Sequence, residues 1–234
     1  MNTIIGVIAK PLGYLLYFLF NISGSYGVAI IILTVIVKAC LYPLYVKQIV
    51  STAGMSKIQP KMAALQKQYA NDKETLNIKM AELYKEEHFN PMAGCLPMII
   101  QLPIIFGLFA LLRNPLNYIA SDNMLFAIHE SFLWIPDLSQ PDKWILPIAA
   151  GIATFFSYSM TEQMTASMGN QAGTGGMMKM MKYVFPVMIV LMGRTFPSGL
   201  TIYWCLGQII QVFINMRTNK LRRRILEEDG GKKK

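Results

Sequence analysis

One basic residue, Lys38, sits inside an otherwise apolar run, GVAIIILTVIVKACLYPLYV, twelve residues after Tyr26 and nine before Lys47. At about 1.5 Å per helical residue it would lie roughly 18 Å and 13 Å from the ends of a helix crossing hydrocarbon. A charge near the bilayer centre costs about 2.5–3.5 kcal/mol on insertion scales, and such residues face a bundle interior or a water-filled cavity. The plainer alternative is a lysine whose stem reaches the headgroups. No Asp or Glu lies within an apolar run to neutralise it; Glu162, at the edge of one, is the nearest candidate. An unpaired cation of this kind suits a hydrated site for an anionic visitor.

Other polar side chains are spaced to line the same site. Thr34 is four residues before Lys38 and shares its helical face. Gln101 stands in a second apolar run, Gln208 and Gln211 in the last, and Tyr203 and Trp204 near the outer end of that last run. Singly, such groups most often make helix–helix hydrogen bonds. Together with one lysine they point to a shared wet groove.

Catalytic patterns are missing. His88 and His129 fall in different polar segments, there is no H-E-x-x-H or G-x-S-x-G, and GNQAGTGG lacks the G-K-[ST] of a phosphate loop. An enzyme is not expected, nor a cofactor or metal. Cys40, Cys95 and Cys205 each lie in an apolar run and read as small buried hydrophobes, not as a disulfide or metal set.

The elements that must hold these residues follow from composition. Of 234 residues 53% are hydrophobic and 15% charged, with a mean hydropathy of +0.38. Soluble domains are nearer 45–50% apolar and about 25% charged. The apolar runs continue through the whole chain, so the expected fold is all-α: one polytopic membrane protein. Five spans are predicted, about 26–46, 92–112, 144–160, 177–193 and 200–216. Residues 1–24 carry Lys10-Pro11 before a short apolar stretch, with no A-x-A cleavage site. They read as an amphipathic, interfacial helix with Tyr14 and Tyr17 at headgroup level, in preference to a signal peptide. Residues 47–90 are polar and helical in period, with Ile58, Met62, Leu65 and Tyr69 on one face and Leu76, Met80 and Leu83 on another. Asn71-Asp72 supplies a turn and a cap between them, giving a helical hairpin outside the lipid. Residues 161–176 form a Gly/Met/Gln-rich loop, and 217–234 a basic tail.

Orientation follows from Lys and Arg near the span ends. The hairpin carries seven, the loop before the fourth span Lys179 and Lys182, and the tail eight, against Lys10, Arg113, Lys143 and Arg194 elsewhere. Hairpin, second loop and tail are expected in the cytoplasm and the amino terminus outside. The net charge of +9 lies in these segments, where it meets anionic lipid or RNA.

Three segments carry a resemblance: YGVAIIILTVIVKACLYPLYVKQ, NPMAGCLPMIIQLPIIFGLFALLR and FPSGLTIYW. They resemble the YidC family of membrane protein insertases, which includes the Oxa and Albino proteins, over nearly the whole chain. The resemblance implies an insertase and chaperone of the bacterial plasma membrane, in the short form typical of Gram-positive bacteria. It implies a groove open to cytoplasm and lipid, with Lys38 as its cation and Gln101 and Gln208 as lining, beside the Thr34, Tyr203 and Trp204 already singled out by spacing. A hydrophobic slide would be formed by Leu102, Ile105 and Phe109 of the second span with Ile202, Ile209 and Phe213 of the fifth. Implied partners are nascent membrane proteins, the ribosome (possible contacts being the basic tail and cytoplasmic loops), the Sec translocon and anionic lipids, with no small-molecule substrate. Two positions depart from the family pattern: Lys38 stands where Arg is usual and keeps the charge without the planar fork, and Gln208 where Asn is common. The competing reading is a small solute transporter or proton-coupled channel using Lys38; the paired repeat such a fold would show is not visible.

Overall fold

A computed structural model describes residues 2–53, 55–87, 96–113, 118, 126–165 and 174–231. Its elements are α1 (Asn2–Ser23), α2 (Tyr26–Ala53), α3 (Met55–Gln68), α4 (Lys73–Glu86), α5 (Leu96–Arg113), α6 (Ile145–Thr165), α7 (Thr174–Gly193) and α8 (Ser198–Gly231). His88, Cys95, Asp122 and residues 166–173 of the expected Gly-rich loop lie outside the described residues.

The helices form where apolar residues are continuous. By length and composition, Gly6–Ser23, Tyr26–Lys47 and Ser198–Leu221 are each able to cross a membrane. The shorter apolar stretches Gln101–Leu112, Ile145–Thr161 and Met180–Gly193 lie in α5, α6 and α7. Three helices run well past the ends of the expected spans for one reason. The first continues to Ala53 and the third to Thr165, and the fifth continues without a break into the basic tail, making a single 34-residue helix. Arg, Lys, Leu and Glu favour helix, and α8 meets no glycine between Gly207 and Gly230 and no proline at all. The tail is thus a helical extension of the span. A row of α1 residues faces inward (Ala9, Leu16, Leu19), and the outward row mixes Lys10 and Asn21 with Val7, Tyr14, Phe18 and Ile22.

α1 ends at Gly24, whose φ of +66° closes the last turn, its N–H bonding Phe20 O at 2.8 Å. α1 packs on α5 and α2, α2 on α8, and α6 on both α7 and α8. Gly151 in α6 lets Val190 of α7 lie where a methyl group would stand 2.4 Å from it, the small-residue contact on which membrane helices rely. A core of Leu16, Tyr26, Ile30, Leu33, Leu108, Leu111, Leu138 and Tyr203 joins α1, α2, α5 and α8 with the loop before α6.

That loop, residues 126–144, fastens the beginnings of two helices. A bridge pairs Phe132 with Ile135, and the Phe132 ring occupies the space a side chain at Gly27 would need. The Glu130 carboxylate accepts from Tyr26 N at 2.7 Å, at the start of α2. Leu138 O and Gln140 O accept from Gly199 N and Ser198 N at the start of α8. Acceptors at these ends satisfy donors that a helix leaves orphaned.

The hairpin is as its periodicity predicts. Ile58 and Met62 of α3 meet Met80 and Leu83 of α4, with Leu65, Leu76 and Tyr84 alongside. Asp72 caps α4 through Thr75 N at 3.0 Å. Hydrogen bonds from the Thr75 hydroxyl and N–H hold the Asp72 carboxyl below its ordinary value. Tyr69 falls in the turn and adds little to either face.

Candidate functional site

Lys38 is buried, with 4% of its surface exposed, between α2 and α8. Its Nζ donates to Gln211 Oε1 at 3.2 Å and stands 5.6 Å from the centre of the Tyr45 ring, within cation–π range. Among the described residues it forms no ion pair. The amide of Gln211 passes the contact on: Nε2 donates to Asn215 Oδ1 at 3.1 Å. Asn215 Nδ2 then reaches Ser157 O (3.3 Å) and Thr161 Oγ1 (3.2 Å) on α6. The cation therefore heads a polar chain running through α2, α8 and α6.

The stem of Lys38 is seated by a glycine. A Cβ at Gly207 would lie 3.4 Å from Lys38 Cε and 3.9 Å from Thr34 Cγ2, so α8 approaches α2 closely at the level of the lysine. Thr34 is fully buried and returns its hydroxyl to Ile30 O at 2.7 Å. It shares the lysine's face, as its spacing requires, but its oxygen serves its own helix.

The remaining polar residues divide between two neighbouring sites. Gln101 Nε2 donates to Tyr203 OH at 3.1 Å, tying α5 to α8. Trp204 Nε1 donates to Thr154 Oγ1 at 3.0 Å, tying α8 to α6, with its ring 5.9 Å from Phe185. Gln208 is half-buried and makes no side-chain hydrogen bond among the described residues. Of the apolar residues expected to form a slide, Leu102 (41%), Ile209 (42%) and Phe213 (60%) are exposed, and Ile105 is half-buried. Ile202 is turned into the core and Phe109 packs on Phe196 at 5.3 Å, so neither presents an open face. Phe106, at 54% exposure, holds the outward position one turn from Leu102. The cysteine expectation also needs correction: Cys205 packs against the core, whereas Cys40 lies on the outer side of α2 and is exposed.

A polar chain inside apolar helices is not specific to one family, and comparison with known proteins decides the matter. The family model described as "60Kd inner membrane protein" matches residues 18–225. The "Membrane protein insertase YidC" of Fusobacterium nucleatum subsp. nucleatum is 38% identical over 213 residues, covering 91% of this chain and 95% of that protein. The chain belongs to the YidC family.

Other YidC proteins agree. That of Clostridium perfringens is 38% identical over 195 residues, covering 83% of this chain and 78% of its own. That of Citrifermentans bemidjiense is 36% identical over 217 residues, yet the chain spans only 37% of its length. A solved structure titled "Active YidC insertase crystal structure with the first transmembrane domain resolved" superposes with a TM-score of 0.61 at 29% identity. It covers 89% of this chain and 45% of the solved one. Within this YidC fold, the residues that sequence reasoning passed over are Asn215, Ser157, Thr161 and Tyr45. A signal for the first three was present: Gln211, Asn215 and Thr218 recur at helical spacing on one face of α8, and Ser157 and Thr161 do so on α6.

Proposed function

We propose that this protein is a non-enzymatic insertase that moves nascent membrane proteins from the cytoplasm into the bilayer along a groove whose cation is Lys38. The observation that carries the reading is a lysine 4% exposed that, among the described residues, has no carboxylate partner and is held by the Gln211 amide and the Tyr45 ring alone. A neutral partner leaves the positive charge uncompensated. It is therefore available to the acidic or polar flank of an arriving chain, and the low-dielectric surroundings strengthen that attraction. The substrate's apolar helix gains by transfer to lipid, while its polar flank is the barrier. Leu102 and Phe106 of α5 and Ile209 and Phe213 of α8 supply the outward apolar side chains along which the helix leaves.

The proposed topology is a five-span core of α2, α5, α6, α7 and α8 in the bacterial plasma membrane. The hairpin α3–α4 and the end of α8 lie in the cytoplasm and the amino terminus lies outside, as the lysine distribution favours. The placing of α1 at an angle near the outer surface is supported by its contact with α5. Ile8 touches Gly107, which is six residues, or roughly 9 Å, from the end of α5. From Ile8 to Gly24 the chain runs roughly 24 Å, so α1 lies oblique to the spans. Ribosomes and the Sec translocon are the proposed sources of substrate.

Reconstitution tests the reading. Vesicles containing the purified protein are expected to insert a single-span substrate with an acidic flank, with insertion judged by protease protection. Flux of a small solute without any insertion would overturn it in favour of a transporter.

A further inference from the structure

A second feature of α8 lies beyond the groove cation. A cleft of about 710 Å³ is lined by Tyr42 of α2 and by Phe213, Met216, Arg217, Thr218, Lys220, Leu221 and Arg224 of α8. The apolar stretch of α8 able to cross the membrane ends at Leu221, inside this cleft. Phe213 and Met216 are exposed deeper in that stretch, Arg217 and Lys220 are exposed near its end, and Arg224 is exposed just past it. Among the described residues none of the three cations makes an ion pair. Thr218 is buried and spends its hydroxyl on Ile214 O at 2.7 Å, so the cleft presents three cations and the Tyr42 hydroxyl. Residues 217–224 rise over roughly 10 Å of helix, comparable with the depth of a headgroup layer.

We propose that this cleft is a binding site for one anionic phospholipid. The phosphate sits among Arg217, Lys220 and Arg224, and an acyl chain runs along Phe213 and Met216. Charge complementarity selects the headgroup, since guanidinium forks match phosphate oxygens. The apolar half selects an amphiphile over a free anion or a wholly acidic peptide, neither of which would cover Phe213 and Met216. The tyrosine stands where aromatic side chains mark the boundary of the lipid. A lipid held there sits beside the exposed Phe213 at the cytoplasmic end of the proposed slide and sets the local charge that an arriving chain meets.

The experiment uses the full-length protein in detergent, with lipid retention read by native mass spectrometry. Phosphatidylglycerol is expected to remain bound where phosphatidylcholine does not. The variant carrying Arg217→Gln, Lys220→Gln and Arg224→Gln is expected to bind it roughly a hundredfold more weakly. Arg217→Lys with Arg224→Lys keeps the charge and is expected to retain most of the affinity, which separates loss of the site from misfolding. Lys232→Gln, Lys233→Gln and Lys234→Gln together, which remove as much charge from the end of the chain, are expected to have no effect. Equal retention by the triple glutamine variant overturns the proposal. Displacement of the lipid by glycerol 3-phosphate would make the site a plain phosphate site, and displacement by poly-glutamate would make it a polypeptide site; either result overturns it as well.

Discussion

Lys38 Nζ and Gln211 Oε1 meet at 3.2 Å across 173 residues of sequence, so the only charge in the first span is tied to the last by one hydrogen bond to a neutral amide. A carboxylate there would have neutralised the lysine and closed the site. An amide satisfies one of its three N–H donors and leaves the charge in place.

The first prediction concerns that charge. Lys38→Ala should lower insertion of an acidic-flanked substrate by roughly tenfold, about 1.4 kcal/mol of barrier. Lys38→Arg, which restores a cation with more donors, should stay within about twofold of the parent. Protease-protection rates in reconstituted vesicles read the difference; an alanine variant with full activity on every substrate would remove the groove-cation role.

The second concerns the amide chain. Asn215→Leu takes away the acceptor of Gln211 Nε2, and is expected to lower thermal stability in detergent by about 1–3 kcal/mol. Because Gln211 bonds Asn215 directly, a double-mutant cycle with Gln211→Leu should show coupling of about 0.5–1.5 kcal/mol. Strict additivity would mean that the two amides act separately.

Gly207 provides the third. An alanine there meets Lys38 Cε at an ordinary contact distance of 3.4 Å and should be tolerated. Gly207→Leu has no room beside Thr34 and the lysine stem, so it should part α2 from α8 and reduce insertion by roughly tenfold, with a destabilisation of about 1–3 kcal/mol. A fully active leucine variant would show that the close approach is dispensable.

The fourth is a pH effect on the outer loop. Partial burial pushes the Asp142 carboxyl up, but hydrogen bonds from Trp134 Nε1 and from the N–H groups of Trp144 and Leu146 outweigh it. The group is held below the usual carboxylate value. A lowered folded value means that its stabilisation is complete above the unfolded value of about 3.9 and is lost as pH falls through the folded one. Asp142→Asn should therefore cost about 1 kcal/mol or less at neutral pH, since solvent screens the site. It should also flatten the fall in melting temperature below about pH 4. An acid limb identical to that of the parent would assign the sensitivity to other groups.

Much of the molecule was legible in its residues. The first span, the hairpin and the Asp72 cap follow from runs of apolar residues, a 3.6-residue period and one capping side chain, all of which are local. The three helix ends that run past expectation, at Ala53, at Thr165 and in the basic tail, lie where polar residues leave the lipid without leaving the helix. Hydropathy reports the solvent, and helix propensity continues past that boundary.

The site divides along the same line. The residue types and order determined an all-helical membrane protein of this family, with Lys38 deep in a span and no acidic residue inside an apolar run to neutralise it. Only the packing decided that Gln211, and not Gln208, would hold it. Packing likewise turned Thr34 back on its own helix, sent Ile202 and Phe109 inward, and placed Asn215 as the link to α6. Helical period gives the angle of a side chain about its own axis, but which neighbour occupies that angle depends on how closely the helices approach. Here small residues mark the close approaches: Gly199 and Gly207 where α8 meets α2, and Gly151 where α6 meets α7.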